Sequence, residues 1–430
     1  MIKNIKINKL EDLYSYSLSR DNSNVDLVNY VADIITDVRN NGSNALFKYT
    51  KKFDNLELNN NNCFFTKADF LNSYNKISAN LRESLHFAHE RIVTYNKKQL
   101  PDDYIYNDEY ISELGWKYYP LNSVAMYVPG GLASYPSSLL MTATIAKIAG
   151  VKNIVTVMPC PNGEYNDSVL AAAHIIGIDR IYKFGGAQII AALAYGNNVI
   201  PKVDKIVGPG NAYVAEAKRQ VYGRVGIDTI AGPSEILVIA DESADPEYIA
   251  YDLLSQAEHD VNAASYLITN SELLANNVSD KIQEILPSLS RSDIALSAIN
   301  NNSFIFQVAD LKTIGIEIAN YIAPEHLELM TKDNDFFIAN ISSAGAIFIG
   351  DYSTEPIGDY IAGPSHVLPT SGAGRYSSGL SIFDFLKKTS IINVSKDRYN
   401  EFAVHAVNIA ESEGLDCHAK ACLARIKTDK

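Results

Sequence analysis

A chain of 430 residues, 47% hydrophobic and 20% charged, can bury a sizeable core and is too long for one compact domain, so two or three domains are expected. Fifty acidic against 37 basic groups leave a net charge of −13, which offers no footprint for nucleic acid or an acidic membrane surface. Four cysteines without paired spacing exclude a disulfide framework, and neither a signal-like start nor an apolar run near the ~18 to 20 residues of a membrane span is present, which predicts a cytoplasmic protein.

Residues 1–120 are rich in Asn, Lys and Tyr, with helical texture around 25–40 and 77–95 and no concentrated chemistry. From Ser123 the pattern changes. Short β-branched runs at Val124–Val128, Ile154–Met158, Arg180–Phe184 and Lys205–Val207 alternate with Ala/Ile/Leu-rich stretches at 137–149, 168–176, 187–195 and 212–222. That alternation predicts βαβ units on a parallel sheet. A second round begins near Ile230, with strands at Glu235–Ala240, Ala264–Thr269 and Ala346–Ile349 and helices at 246–259, 271–285 and 309–321. Two α/β halves are therefore expected, followed after Arg375 by a tail that reads as helical.

Three strand-to-helix junctions carry glycine: Tyr127-Val-Pro-Gly-Gly131, Phe184-Gly-Gly-Ala-Gln188 and Val207-Gly-Pro-Gly-Asn211. Glycine lets the backbone turn sharply and approach a ligand, while the following helix offers free N–H groups to an anion. None is a G-x-G-x-x-G fingerprint, so each alone also reads as ordinary punctuation; three in one half favour a dinucleotide crevice. The repeated Ala-Gly-Pro-Ser at 231–234 and 362–365 carries no weight either way.

The eight histidines narrow the search further. His86 and His89 share a helix with Arg82, Glu83 and Arg91 and read as part of a solvated charged face. His174 and His405, set among Ala, Ile and Val, read as packed or half-exposed helix residues. Gln256 and His259, at i and i+3 on the polar stripe of a helix opened by Asp245-Pro246, are either a metal pair or a helix-surface pair. In Ala323-Pro-Glu-His326 a carboxyl adjoins an imidazole, a pairing suited to acid/base work near neutral pH. Asp359 and His366 follow the strand ending at Ile349, at its expected carboxyl end, and Glu413 and His418 close the series in EGLDCHAKACLAR. There Cys417 and Cys422 lack a partner pair for zinc and are expected as buried small hydrophobes.

In order along the chain, GGAQIIAALAYG, VDKIVGPGNAYVAEAKRQVYG, IDTIAGPSEILVIAD, LLSQAEHD, YIAPEHLE, GDYIAGPSHVLPTSGAGRYSSGLS and EGLDCHAKA resemble the histidinol dehydrogenase family. The resemblance runs from about Tyr127 to Arg425; residues 1–110 match only in length and helical texture. It implies an α/β fold of the aldehyde-dehydrogenase-like class, with two incomplete Rossmann-like domains, a helical N-terminal region and a C-terminal helical tail. The implied division is 1–120, the N-terminal helical region packing on the second α/β domain; 121–230, the NAD side; 231–375, carrying zinc and acid/base residues; and 376–430, a dimerisation tail. The implied reaction is four-electron oxidation of L-histidinol to L-histidine via histidinal, the last steps of histidine biosynthesis, with NAD+ and one Zn2+ per subunit.

Carried over residue by residue, the resemblance places zinc ligands on Gln256, His259, Asp359 and His418, and the acid/base pair on Glu325 and His326. It places substrate contacts on Ser234, Glu413 and His366 besides Gln256, His259, His326, Asp359 and His418, and NAD contacts on Tyr127, Gln188 and Asn211. It also implies a homodimer in which Glu413 and His418 complete the partner subunit's site, with no nucleic-acid or membrane partner. Departures are few: Ser365 stands where many relatives have Asn, and Cys417 and Cys422 replace small or aliphatic residues. Three rivals remain open at this stage: a related family member oxidising another primary alcohol to its acid, a cysteine-dependent aldehyde dehydrogenase using Cys160, and a non-enzymatic zinc or nucleotide binder.

Overall fold

The computed structural model describes residues 2–16, 25–108, 111–130 and 135–426; Gly131 of the first glycine junction lies outside them. Two compact units result, one of residues 1–98 and 122–385, the other of residues 99–121 and 386–430.

The first unit holds two six-stranded sheets. In one, the order is Phe64–Phe65, Ile181–Tyr182, Asn153–Val157, Ser123–Tyr127, Lys205–Val207, Gly226–Ile227, parallel except for the first pair. In the other, the order is Lys3–Ile7, Phe304–Val308, Ala264–Thr269, Glu235–Ala240, His326–Met330, Ala346–Ile349, parallel throughout. Central strands of such sheets are covered on both faces and so read as unbroken apolar runs. Glu235–Ala240 shows why: Ile236, Val238 and Ala240 pack with Ile249 and Leu253, while Leu237 and Ile239 pack with Ile7, Leu13 and Ile318 on the other face. These two Rossmann-like sheets are the α/β pair that the alternation predicts. Strands at Lys205–Val207, Glu235–Ala240, Ala264–Thr269 and Ala346–Ile349 fall on the expected residues, and those at Ser123–Tyr127 and Asn153–Val157 shift by one.

The N-terminal segment does more than supply helices. Lys3–Ile7 and Phe64–Phe65 each add an edge strand to a sheet. Helix Val25–Asp54, broken at Gly42 where φ is 56°, buries Val31, Ile34, Ile35, Val38 and Leu46 in the core that also holds Phe184, Ile189 and Val214. The helical i, i+3, i+4, i+7 spacing gives that face its apolar stripe.

In the second unit, Leu386–Asn393, Glu113–Pro120 and Tyr104–Tyr106 form an antiparallel three-stranded sheet, and helices Tyr399–Ser412 and Asp416–Leu423 close the chain. Leu386–Asn393 lies in a tail expected to be helical; none of its residues is buried, so no hydrophobic alternation marks it. No helix among the described residues is long and apolar enough to cross a membrane.

Candidate active site

The register of the second sheet builds the site. His326 pairs with Ile236 and Glu328 with Val238, so both polar side chains ride on the face covered by helix Pro246–Ala257. That helix begins as expected, with Asp245 accepting from the Glu247 N–H at 2.8 Å and Pro246 in its first turn. Its apolar face is Ile249, Leu253, Leu254 and Ala257. Its polar stripe is not solvated: Asp252 and Gln256 are buried, which excludes the helix-surface alternative. Gln256 is 0% exposed, and neither its Oε1 nor its Nε2 has a hydrogen-bond partner among the described residues. A buried amide left so exposed to the desolvation cost awaits a ligand.

At the start of its strand, His326 donates from Nδ1 to the Glu235 carbonyl at 3.0 Å, since a carbonyl can only accept. The neutral ring therefore presents Nε2 as a bare acceptor, 3.5 Å from Asp359 Oδ1. Glu325 is buried beside it, its Oε2 accepting the Glu235 N–H at 3.0 Å and lying 3.8 Å from His326 Nδ1. Asp359 Oδ2 is 3.8 Å from His366 Nδ1, and His366 Nε2 is 3.2 Å from the Ser138 hydroxyl. The segment after Ile349 thus carries Asp359 back to the amino-terminal edge of the sheet, where the strand of His326 begins. Expecting it at a carboxyl end follows the general rule for open sheets, which this half does not obey.

One acid escaped the sequence reading. Glu355 is 2% exposed; its Oε1 lies 4.0 Å from His259 Nε2, and its Oε2 accepts from the Ser255 hydroxyl at 3.3 Å. Donor atoms of His326, Glu355 and Asp359 lie within 4.8 Å of one another, the metal-capable group of three among the described residues. Beneath it, Glu328 Oε1 accepts the Glu355 N–H at 3.0 Å, and the carboxyls of Glu328 and Asp252 are buried within electrostatic reach of each other. Burial raises both, Asp252 to about 6 and Glu328 further, because the low dielectric penalises two charges side by side.

The charges of the site are tightly balanced. Burial resists protonation of His326, but Glu325 and then Asp359 outweigh it and push the imidazole up to about 10. Burial pushes Glu325 up to about 8, with His326 pulling the other way. Burial likewise opposes charge on Asp359, yet His326 and His366 hold it well below the usual carboxylate range. Burial keeps His259 neutral more readily than a free imidazole. Several carboxylates around one imidazole call for a cation, and their N/O donors, with the orphaned Gln256 amide, suit a borderline divalent metal.

In the first sheet, the glycine loops pack closely together. A Cβ on Gly130 would lie 2.5 Å from the Pro159 carbonyl and one on Gly185 2.3 Å from Pro159 Cβ, so the loops after three strands close on one proline. Tyr127 is buried, and its hydroxyl accepts from the Gly186 N–H at 3.3 Å. Gln188 is also buried, and its Oε1 has no partner among the described residues. Asn211 caps helix Ala212–Val221 through the N–H groups of Tyr213 and Val214, both at 3.1 Å. The turn before it is held by a buried ion pair: Lys218 reaches Asp228 and, at 3.0 Å, the Gly208 carbonyl, while Asp228 accepts the Gly208 N–H at 2.7 Å.

Other expected residues fall as follows. Ser234 is half-buried and immediately precedes Glu235, whose backbone holds both Glu325 and His326. Glu413 and His418 lie in the second unit and are exposed. Cys417 is exposed rather than buried, and Cys422 is half-buried, because the short helix Asp416–Leu423 buries only Ala419. Cys160 is 1% exposed and burial pushes its thiol up to about 12, which removes the thiolate that a cysteine-dependent aldehyde oxidation requires. His86 accepts or donates to the Tyr74 hydroxyl at 3.0 Å and stands outside the metal-capable group.

Residues 18–426 match the family model for histidinol dehydrogenase. The histidinol dehydrogenase of Aquifex aeolicus is 48% identical over 395 residues, 92% of this chain and 91% of the relative. Histidinol dehydrogenase 1 of Trichormus variabilis is 46% identical over 408 residues, 95% of this chain and 94% of the relative. The crystal structure of histidinol dehydrogenase from Elizabethkingia anophelis superposes with a TM-score of 0.93 at 34% identity, covering 99% of this chain and 98% of that one.

Proposed function

The chain belongs to the histidinol dehydrogenase family, oxidoreductases of the last steps of histidine biosynthesis, and on that premise we propose that it converts L-histidinol to L-histidine through histidinal, using NAD and one zinc ion per subunit, in the cytoplasm. The observation that carries the reading is the His326–Glu325 pair: an imidazole anchored through Nδ1 to the Glu235 carbonyl, with Nε2 facing Asp359 at 3.5 Å and a buried carboxyl next to it. Zinc would be held by Gln256, His259 and Asp359, with His418 delivered by the tail of a second copy. Tyr127, Gln188 and Asn211 would meet NAD. When bound, zinc supplies a Lewis-acid anchor for the imidazole and amino nitrogens of the substrate, and NAD supplies the hydride acceptor.

The chain's own groups then carry the protons. With the charge of bound zinc standing in for its resting proton, His326 Nε2 would take the hydroxyl proton of L-histidinol as hydride leaves the carbinol carbon for NAD. Glu325 takes a proton from the water that adds to the aldehyde, its raised affinity for protons placing it near the operating pH, while His326 Nε2 returns its proton to the aldehyde oxygen, giving the hydrate and freeing the imidazole. His326 Nε2 then takes a hydroxyl proton of the hydrate as the second hydride departs to NAD, giving a carboxyl group that releases its remaining proton to solvent. Ser234, Glu413 and His366 would position the substrate's polar ends, and burial of the pair keeps bulk water from competing.

Counting NADH formed per L-histidinol at limiting substrate tests this. About two are expected in the zinc-loaded enzyme, falling away on chelation and returning with zinc. Glu325→Gln should slow histidinal oxidation more than L-histidinol oxidation, and His326→Ala should slow both by roughly 10² to 10⁴-fold. About one NADH per substrate would make the aldehyde the end product, and none in a folded, zinc-loaded enzyme would favour the alternative of another primary alcohol as substrate.

A further inference from the structure

We propose that Asp54 selects NAD over NADP, by accepting hydrogen bonds from the adenosine ribose hydroxyls and repelling a 2′-phosphate; this rests on the dinucleotide reading of the first-sheet glycine loops. Rossmann-type sites use an acid at the carboxyl end of the second strand for that purpose. Here that strand, Asn153–Val157, runs into Met158-Pro159-Cys160-Pro161, and the first acid in the loop, Glu164, is exposed. The carboxylate arrives instead from the N-terminal helix.

Asp54 is the last residue of helix Val25–Asp54. Directly after it, Asn55 donates from Nδ2 to Asn162 Oδ1 at 2.9 Å, and the Leu56 methyl lies 3.7 Å from where a Gly163 Cβ would sit. Both contacts pin the helix end onto the loop that follows the second strand. The charge of Asp54 is felt by Tyr127 and Cys160, one at the end of the first strand and one beyond the end of the second. Its Oδ2 is buried without a hydrogen-bond partner among the described residues, and burial raises the carboxyl to about 6. Leaving such an acceptor unpaired is costly, so it persists where a ligand brings the donor. Gln188 Oε1, in the first turn of the helix Gly186–Tyr195 that follows strand Ile181–Tyr182, is a second buried acceptor without a donor among the described residues. Two orphaned acceptors suit a ligand rich in hydroxyls and disfavour an added phosphate. Lys183, the cation acting on Cys160, sits 4.3 Å over the Phe65 ring.

Calorimetric titration of the zinc-loaded enzyme with NAD and with NADP tests the assignment, using Asp54→Asn and Asp54→Ser. Wild type should bind NAD in strong preference to NADP. Asp54→Asn, which keeps the side chain's volume and removes its charge, should weaken NAD roughly 10- to 100-fold, and Asp54→Ser should narrow the NAD/NADP ratio by at least about tenfold. Unchanged L-histidinol affinity and thermal midpoint in the same variants separate this from a general loss of structure. An NAD/NADP ratio equal to wild type in folded Asp54→Asn overturns the assignment alone. A wild type that binds neither nucleotide overturns the cofactor reading together with it.

Discussion

His326 faces Glu325 and Asp359 at 3.8 and 3.5 Å, and the proton it holds is the counter-charge of the cluster. Its affinity is raised from 6.5 to about 10, and that of Glu325 from 4.5 to about 8. Both folded values exceed the unfolded ones, so the stability they contribute is full below the unfolded values and is lost as pH rises through the folded ones. The chelated protein should therefore lose stability, on the order of several kcal/mol, as pH climbs from about 4.5, where Glu325 begins to count, to about 10, where His326 ceases to, whereas a bound zinc replaces the proton's charge and flattens the profile. Thermal melts of both forms across that range check this; parallel profiles would contradict a cation in the cluster. Gln256 gives an independent test. Replacing its orphaned amide by Leu should raise the melting temperature of the chelated protein while weakening zinc binding at least about tenfold, by removing a buried unsatisfied group and a ligand together. A purely structural glutamine would lower stability and leave zinc content alone.

Among the elements, the turn from Lys205–Val207 into helix Ala212–Val221 depends on a salt bridge with both side chains almost fully buried. Gly208 has φ 113°, and a Cβ there would lie 2.1 Å from the Tyr127 carbonyl, so the turn brings two of the glycine loops into contact. Lys218→Met strands the Asp228 carboxylate in a dry site and should cost about 3 to 5 kcal/mol, read by denaturant unfolding. Adding Asp228→Leu should recover much of that loss, since no lone charge is left buried; a double variant as unstable as the single one would argue against the ion pair as the cause. Elements of this kind differ in how legible they are. Glu235–Ala240 was readable because all six residues are buried and apolar on both faces but for its first. His326–Met330 was not, because His326 and Glu328 interrupt its apolar run, and they do so for the sake of the site. Phe304–Val308 was missed behind the polar Asn300–Asn302 stretch, and Leu386–Asn393 because its partner, Glu113–Pro120, lies far away in the chain.

For the whole molecule, the candidate ligands divide between the two units: Gln256, His259 and Asp359 in one, His418 in the other. If a second copy supplies His418, as the family resemblance implies, two inactive variants should rescue each other. Refolding Gln256→Ala together with His418→Ala should regain about one quarter of wild-type activity, because random pairing makes half the dimers mixed and each mixed dimer keeps one intact site. No recovery from a mixture shown to form mixed dimers would place both ligands in one subunit.

The residue types of the site, their order and the α/β alternation were all determined locally, since β-branched runs, glycine junctions and a Pro-initiated helix act over a few residues. On the same footing, Gln256, His259, Glu325, His326 and Asp359 could be named from motif context. What only the tertiary structure decided is burial and company. Parallel register set His326 and Glu328 under the helix of Gln256, turned Glu355 inward, and placed the end of the first long helix against the second strand's loop. These depend on contacts between residues roughly ninety or more positions apart, which no local pattern encodes, and on desolvation, which shifts an acid or an imidazole only once the surrounding chain has closed over it.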